Sequence, residues 1–265
     1  MGVLREHDRL PTLWCGDWKR PELHLMANEV VTTPFGKFQV DDRDLIEATI
    51  KAGTVWDGPG FLQVIAAGWT DILHVRPQTT ILDVGANVGA FTIWLASLYA
   101  LRVVAVEPIR QTYVRLLANL DLNQSTCAQR VITIPCAAYS RSTYLDLAAP
   151  IDPHNSGEAT LVPAGAPSDT LIQAEPLDKY LPLYGDKVSL IKIDAQGCDF
   201  HVLQGLEQTI ARHRPAIVFE WDPKRAAAHN VNWNDVAQFL NRLCYFSTQW
   251  PSHPDNFLAL PTPTR

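Results

Sequence analysis

The sequence is short of cysteine, lacks long apolar runs and carries no excess of positive charge. Its five cysteines, Cys15, Cys127, Cys136, Cys198 and Cys244, are scattered over 265 residues with no CxxC pair. An odd number of isolated thiols argues against a disulfide scaffold or a cysteine-ligated zinc site and suits a reducing compartment. No stretch approaches the roughly 18 consecutive apolar residues that a membrane span needs. Charged residues make up only 19% of the chain, 22 basic against 28 acidic, for a formal net charge of −6. Such a surface repels nucleic-acid phosphates unless its few cations cluster, so neither a polynucleotide nor a membrane partner is expected. The first residues, Met1 to Asp8, are too polar for a secretory leader, and a cytoplasmic protein is expected. With 47% hydrophobic residues, a chain of this length buries on the order of 70–75% of its extended surface and needs neither metal nor disulfides to fold.

What is present is a rhythm. Beyond residue 79 short apolar runs alternate with amphipathic stretches, the pattern of a parallel sheet with crossover helices. Runs at Thr80–Val84, Val103–Val106, Val131–Ile134, Leu190–Ile193 and Ala216–Phe219 read as buried strands. Between them Phe91, Trp94, Leu95 and Leu98 form a helical stripe, as do Tyr113, Leu116, Leu117 and Leu120. Phe200, Leu203, Leu206 and Ile210 predict one further helix, and Val236, Phe239, Leu240 and Leu243 another. The segments Cys244–Ser247 and Asn256–Leu260 predict a hairpin that closes the sheet. The fold class expected is α/β, a Rossmann-like and mostly parallel sheet in residues 79–265. Residues 1–78, with a hairpin around Pro34–Lys37 and a helix over Leu45–Lys51, read as an extension or lid rather than an independent domain. Residues 146–175, rich in Ala, Pro, Gly and Ser, read as a functional or disordered loop.

The most informative passage is Asp83-Val84-Gly85-Ala86-Asn87-Val88-Gly89, a strand, loop and helix start. Gly85 and Gly89 let the backbone approach a ligand closely, and the next helix offers free N–H groups. The spacing lacks the full GxGxxG of dinucleotide sites, and Asp83 at the strand tip would repel a pyrophosphate. S-adenosylmethionine has no phosphate and brings an ammonium and a sulfonium, both attracted to a carboxylate. The second strand ends at Glu107, beside Pro108, where a carboxylate can grip both ribose hydroxyls. Ala137 and Ala138, after the third strand, are small enough to lie against an adenine ring.

Ile81 to Thr92 resembles the glycine loop of FkbM-type S-adenosylmethionine-dependent methyltransferases, as does Val106-Glu107-Pro108 with its following Asn119. Leu190 to Gly197, then Val202-Leu203-Gln204-Gly205 and Pro215 to Glu220, are similar to that family's second signature. The resemblance covers roughly residues 55–222 and implies a seven-stranded methyltransferase sheet. It also implies that Trp56 and Asp57 contact the methionine or adenine end of the cofactor. Gln196 departs from the family, which often has Glu there.

The expected chemistry is in-line methyl transfer to a small-molecule acceptor, with the acceptor atom held about 3–3.5 Å from the methyl carbon and water kept out. The resemblance implies oxygen as the acceptor atom, in a natural-product or sugar-like molecule. Asp194, at the fourth strand's tip, is assigned both to the cofactor and to the acceptor side. It reads as a general base, as a ligand for a divalent ion shared with Asp222, or as a group that holds its own loop. No metal is expected, and activity is expected to persist in EDTA. His201 and His154 are the histidine candidates for catalysis. Lys192 inside a strand either stretches its stem over apolar surface to a carboxylate or belongs to the site. Two competing functions fit the same residues: a nicotinamide-dependent oxidoreductase, and a non-catalytic protein that binds S-adenosylmethionine, which Gln196 favours.

Overall fold

The computed structural model describes residues 29–53, 79–98, 101–148, 154–164, 171–185, 187–250 and 253–263. The first of these form an antiparallel hairpin, β1 (Glu29–Thr33) and β2 (Gly36–Val40), followed by helix α1 (Leu45–Lys51). Asp44 caps α1 by accepting from the amides of Ile46 and Glu47, satisfying two of the orphan donors of its first turn. Phe38, Val40, Ile46 and Ile50 join the same core as Ile81, Trp94 and Leu116, so this extension is packed into the main body. Arg115 pairs with Glu47, which is fully buried.

The main body runs β3 (Thr80–Val84), α2 (Ala90–Leu98), β4 (Arg102–Val106), α3 (Arg110–Leu122) and β5 (Val131–Ile134). Four strands then build a separate small sheet: β6 (Ala137–Ala138), β7 (Thr143–Ala148), β8 (Thr160–Pro163) and β9 (Leu171–Glu175). The chain returns to the main sheet with β10 (Val188–Ile193), α4 (Asp199–Gly205), α5 (Glu207–His213) and β11 (Ala216–Glu220). It ends with α6 (Pro223–Ala228), α7 (Trp233–Arg242), β12 (Tyr245–Trp250) and β13 (His253–Pro261). Among the described residues the main sheet has seven strands in the order β12-β13-β11-β10-β3-β4-β5. β13 runs antiparallel to both β11 and β12, and the other pairings are parallel.

Strands covered on both faces must be apolar at nearly every position. Ile81 and Leu82, like Val103 and Val104, are fully buried but belong to opposite layers, one packed on α2 and α3 and the other on α4, α5 and α7. No helix among the described residues is long and apolar enough to cross a membrane.

Two expectations are corrected. Residues 146–175 are not a single patternless loop, because Leu145, Leu161, Ile172 and Ala174 turn to one side of the small sheet and pack with Ala137 and Tyr139. The stripe from Phe200 to Ile210 spans two helices rather than one. α4 and α5 meet at Leu206, and Asp178 accepts from the amides of Gln208 and Thr209 at 2.7 and 2.9 Å, capping α5 from outside. Gly205 permits the junction, since a Cβ there would stand 2.0 Å from the Tyr139 carbonyl oxygen.

Asp44 has a second duty: its other oxygen accepts from the Ser156 amide at 3.0 Å, while the Leu45 amide donates to the His154 carbonyl at 2.8 Å. Asp44→Ala is expected to cost about 1 kcal/mol, the usual value of an N-cap. Hydrogen exchange should show the Ser156 amide losing protection together with the start of α1; intact protection at Ser156 would refute the link.

Candidate functional site

The chain leaves β3 for β4 and β5 on one side and later returns to β10 and β11 on the other. Between β3 and β10 the sheet has the switch point where open α/β sheets take ligands at the carboxyl edge of the strands. A cleft of about 1150 Å³, mouth included, opens there.

Its floor is the turn after β3. Gly85 has φ +78, and a Cβ on it would lie 2.0 Å from the backbone oxygen of Asp194. Only glycine lets the loop pass so close to the end of β10. Ala86, Asn87 and Val88 continue along the cleft. Gly89 has a different purpose: its Cβ would stand 2.4 Å from Leu116 Cδ1, so its smallness serves the packing of α2 on α3, and it does not line the cleft.

Glu107 follows the last residue of β4 and lines the same cleft, with only 4% of its surface exposed. Its Oε1 accepts from the Ile109 amide and the Thr112 hydroxyl, both at 2.8 Å, and its Oε2 accepts from the Asn87 amide at 2.8 Å. Burial pushes the carboxyl up to about 7 against the pull of these three donors. A carboxylate has about four acceptor positions, so Oε2 retains capacity for a further donor. Pro108 and Ile109 extend this wall, and Ala137 and Ala138 also line the cleft.

The other end is built by the loop after β10. Asp194 accepts from the Gln196 side-chain amide at 2.6 Å and from Lys192 Nζ at 3.4 Å. The same Gln196 nitrogen donates to Glu220 at 3.0 Å. Asp199 holds the loop by accepting from the amides of Ala195 and Gly197, each at 3.0 Å, and its burial pushes it up to about 6. Ile46, Phe91, Ser156, Gly157, Ala159, Leu161 and Cys198 also belong to the lining.

Several expected residues stand elsewhere. Asp83 does not line the cleft. It sits in register with Lys192 on the adjacent strand, is fully buried, accepts from Thr92 and has Lys192 Nζ 3.9 Å away. One residue short of the strand's end, its side chain turns toward α2, and desolvation raises its carboxyl. It is therefore not a carboxylate presented to a ligand. His201 also stays out of the cleft: it packs against Tyr139 with ring centroids 4.3 Å apart and bonds Gln204 at 3.0 Å. His154 is exposed in the turn that receives the Leu45 amide. Trp56 and Asp57 lie outside the described residues. Lys192 both crosses apolar surface, 5.7 Å over the Phe91 ring, and lines the cleft. Sequence reasoning pointed to residues 1–78 and 146–175 only as regions, and did not single out Ile46, Cys198 or the wall from Ser156 to Leu161. The short alternations of Leu145 with Leu147 and of Ile172 with Ala174 were the available signals for the sheet that carries that wall. Asn119, fully buried, joins three parts by accepting from the Gln39 amide and donating to the Val88 carbonyl, both at 2.8 Å.

Residues 83–247, more than half of the chain, match the family model described as methyltransferase FkbM domain. The methyltransferase sdnD of Sordaria araneosa is 27% identical over 188 residues, which cover 58% of this chain and 70% of that protein. Among solved structures, methyltransferase FkbM from Methylobacillus flagellatus KT is 19% identical with a TM-score of 0.48. That match covers 83% of this chain and 55% of the Methylobacillus chain, so this protein spans little over half of that length.

Proposed function

Because the chain belongs to the FkbM methyltransferase family, we propose that it uses S-adenosylmethionine to methylate an oxygen of a small-molecule acceptor. The observation that supports this most is the buried Glu107 with an acceptor position to spare, one strand away from the Gly85 turn. A vicinal diol supplies two donors to such a carboxylate, and charge-assisted bonds of that kind are about twice as strong as neutral ones.

The donor set fits the cofactor. Glu107 would hold the ribose, Ala86 and Asn87 would run alongside it, Ala137 and Ala138 would face the base, and Asp194 would receive the amino-acid or methyl end. When bound, the cofactor supplies a methyl group activated by a sulfonium. The chain's own residues then orient and shield. Lys192 and Gln196 hold the Asp194 carboxylate from two sides. Ile46, Phe91, Ala159 and Leu161 form an apolar wall that excludes water and suits an acceptor with a hydrocarbon body. Asp194, which lines the cleft, would receive the acceptor's hydroxyl and take up its proton. Among the described residues no disulfide joins Cys127, Cys136, Cys198 or Cys244, and the setting we propose is the cytoplasm.

Two measurements test this. S-adenosylhomocysteine should raise the melting temperature while nicotinamide dinucleotides leave it unchanged, and radiolabelled cofactor should transfer label to small acceptors in an extract. Stabilisation by a dinucleotide instead would replace this reading with an oxidoreductase. Binding without any labelled product would leave a non-catalytic cofactor-binding protein.

A further inference from the structure

The Gln196 side chain stands between two carboxylates at the ends of adjacent strands. Its Nε2 donates to Asp194 Oδ1 at 2.6 Å and to Glu220 Oε2 at 3.0 Å. An amide nitrogen carries two N–H donors and no lone pair to accept with, so this orientation of the amide is the only one that both acids tolerate. The backbone is bent to deliver it: Gln196 has φ +50, followed by Gly197 at φ +103. A non-glycine residue in the left-handed region is held there by its surroundings, here by Asp199 clamping the amides on either side. Gln196 Oε1 is buried and lacks a hydrogen-bond partner, so the side chain gives up one acceptor to place its donors.

We propose that Gln196 is a positioning residue whose amide takes the place of a divalent cation between Asp194 and Glu220, keeping Asp194 aimed into the cleft. Without a donor between them the two carboxylates repel each other, and oxygen pairs of that kind recruit hard cations. A carboxylate at position 196 adds a third oxygen donor and turns the bridge into a cation site. Asp222 lies near the same edge but is engaged elsewhere, capping α6 through the amides of Lys224 and Arg225. The role assigned to Asp194 rests on the methyltransferase reading; the bridge itself does not.

The test is Mn²⁺ binding to the full chain, followed by electron paramagnetic resonance. Gln196→Glu is expected to bind Mn²⁺ at least tenfold tighter than the wild type. Gln196→Ala, which only removes the amide, should show a smaller gain. Asp194→Asn added to Gln196→Glu should abolish the gain. The gain in Gln196→Ala is the discriminating arm, because alanine adds no ligand and a residue that merely fills space would leave Mn²⁺ affinity unchanged when it is truncated. The proposal is overturned if the folded variants bind Mn²⁺ no better than the wild type, if the gain survives Asp194→Asn, or if neither variant folds, which would make Gln196 a fold-holding residue. Failure of the wild type to bind S-adenosylhomocysteine would remove the functional reading, while the Mn²⁺ comparison would still decide this one.

Discussion

Glu107→Ala is expected to weaken S-adenosylhomocysteine binding by more than tenfold, about 1.4 kcal/mol or more. The carboxylate is held rigid by the Asn87 and Ile109 amides and the Thr112 hydroxyl, so little freedom is lost when a ligand's hydroxyls add to it. The same burial gives the interaction a pH signature. Glu107 is pushed up to about 7 from an ordinary 4.5. Hydroxyl donors favour the charged form, so binding lowers this value and releases a proton. Affinity should therefore be weaker at pH 6 than at pH 8. Calorimetry in two buffers of different ionisation enthalpy should register proton release in the wild type and none in Glu107→Ala. Equal affinities for wild type and variant would remove Glu107 from the site.

The unliganded protein carries the matching effect on stability. A folded-state value raised above the unfolded one means that the folded chain binds more protons across the interval between them. The stabilising contribution is complete below about 4.5 and is lost as pH rises through about 7 for Glu107. For Asp199 the corresponding window runs from 3.8 to about 6. His201 and His229, whose charged forms burial disfavours, act in the opposite sense over the same interval. The carboxyl contribution is therefore read by comparison: the loss of melting temperature from pH 5 to pH 7.5 should be larger in the wild type than in Glu107→Gln. Identical profiles would show that the Glu107 carboxyl is not raised.

Gly85→Ala should damage fold and site together. A side chain at φ +78 costs about 1–2 kcal/mol on backbone grounds alone. Its Cβ would also lie 2.0 Å from the Asp194 oxygen, and backbone on both sides leaves no flexible atom to yield. The loop must part from the end of β10, breaking the Asp194 amide's bond to the Val84 carbonyl. A total of about 4 kcal/mol or more places this among the severe substitutions. For a chain of this size that is a drop of roughly 10 °C in melting temperature. Ligand affinity should fall with it, because the two segments forced apart carry Ala86 and Asp194. Ordinary stability with normal ligand binding in Gly85→Ala would show that the close approach does not exist.

The parallel strands were legible because burial on both faces leaves a continuous apolar run, as in Ile81-Leu82 and Val103-Val104. The small sheet was hidden for the opposite reason. Its strands are short, half covered and separated by Ala-Pro-Gly-Ser segments, so the alternation in Leu145–Leu147 and Ile172–Ala174 is too brief to stand out. A helical stripe from Phe200 to Ile210 is continuous in sequence although the helix is not. Its break depends on Asp178, some thirty residues upstream.

The amino-acid order alone settled that a glycine turn follows one buried strand and a carboxylate ends the next, because periodicity and turn chemistry are local properties. Which carboxylate faces a ligand was decided by packing. Asp83 and Glu107 are both acids at strand ends, yet cross-strand register hands the first to Lys192 and leaves the second in the cleft. The same holds for Gln196, whose meaning depends on two acids that meet only when β10 and β11 lie side by side. Contacts across a sheet depend on residues far apart in the chain, and no local pattern encodes them.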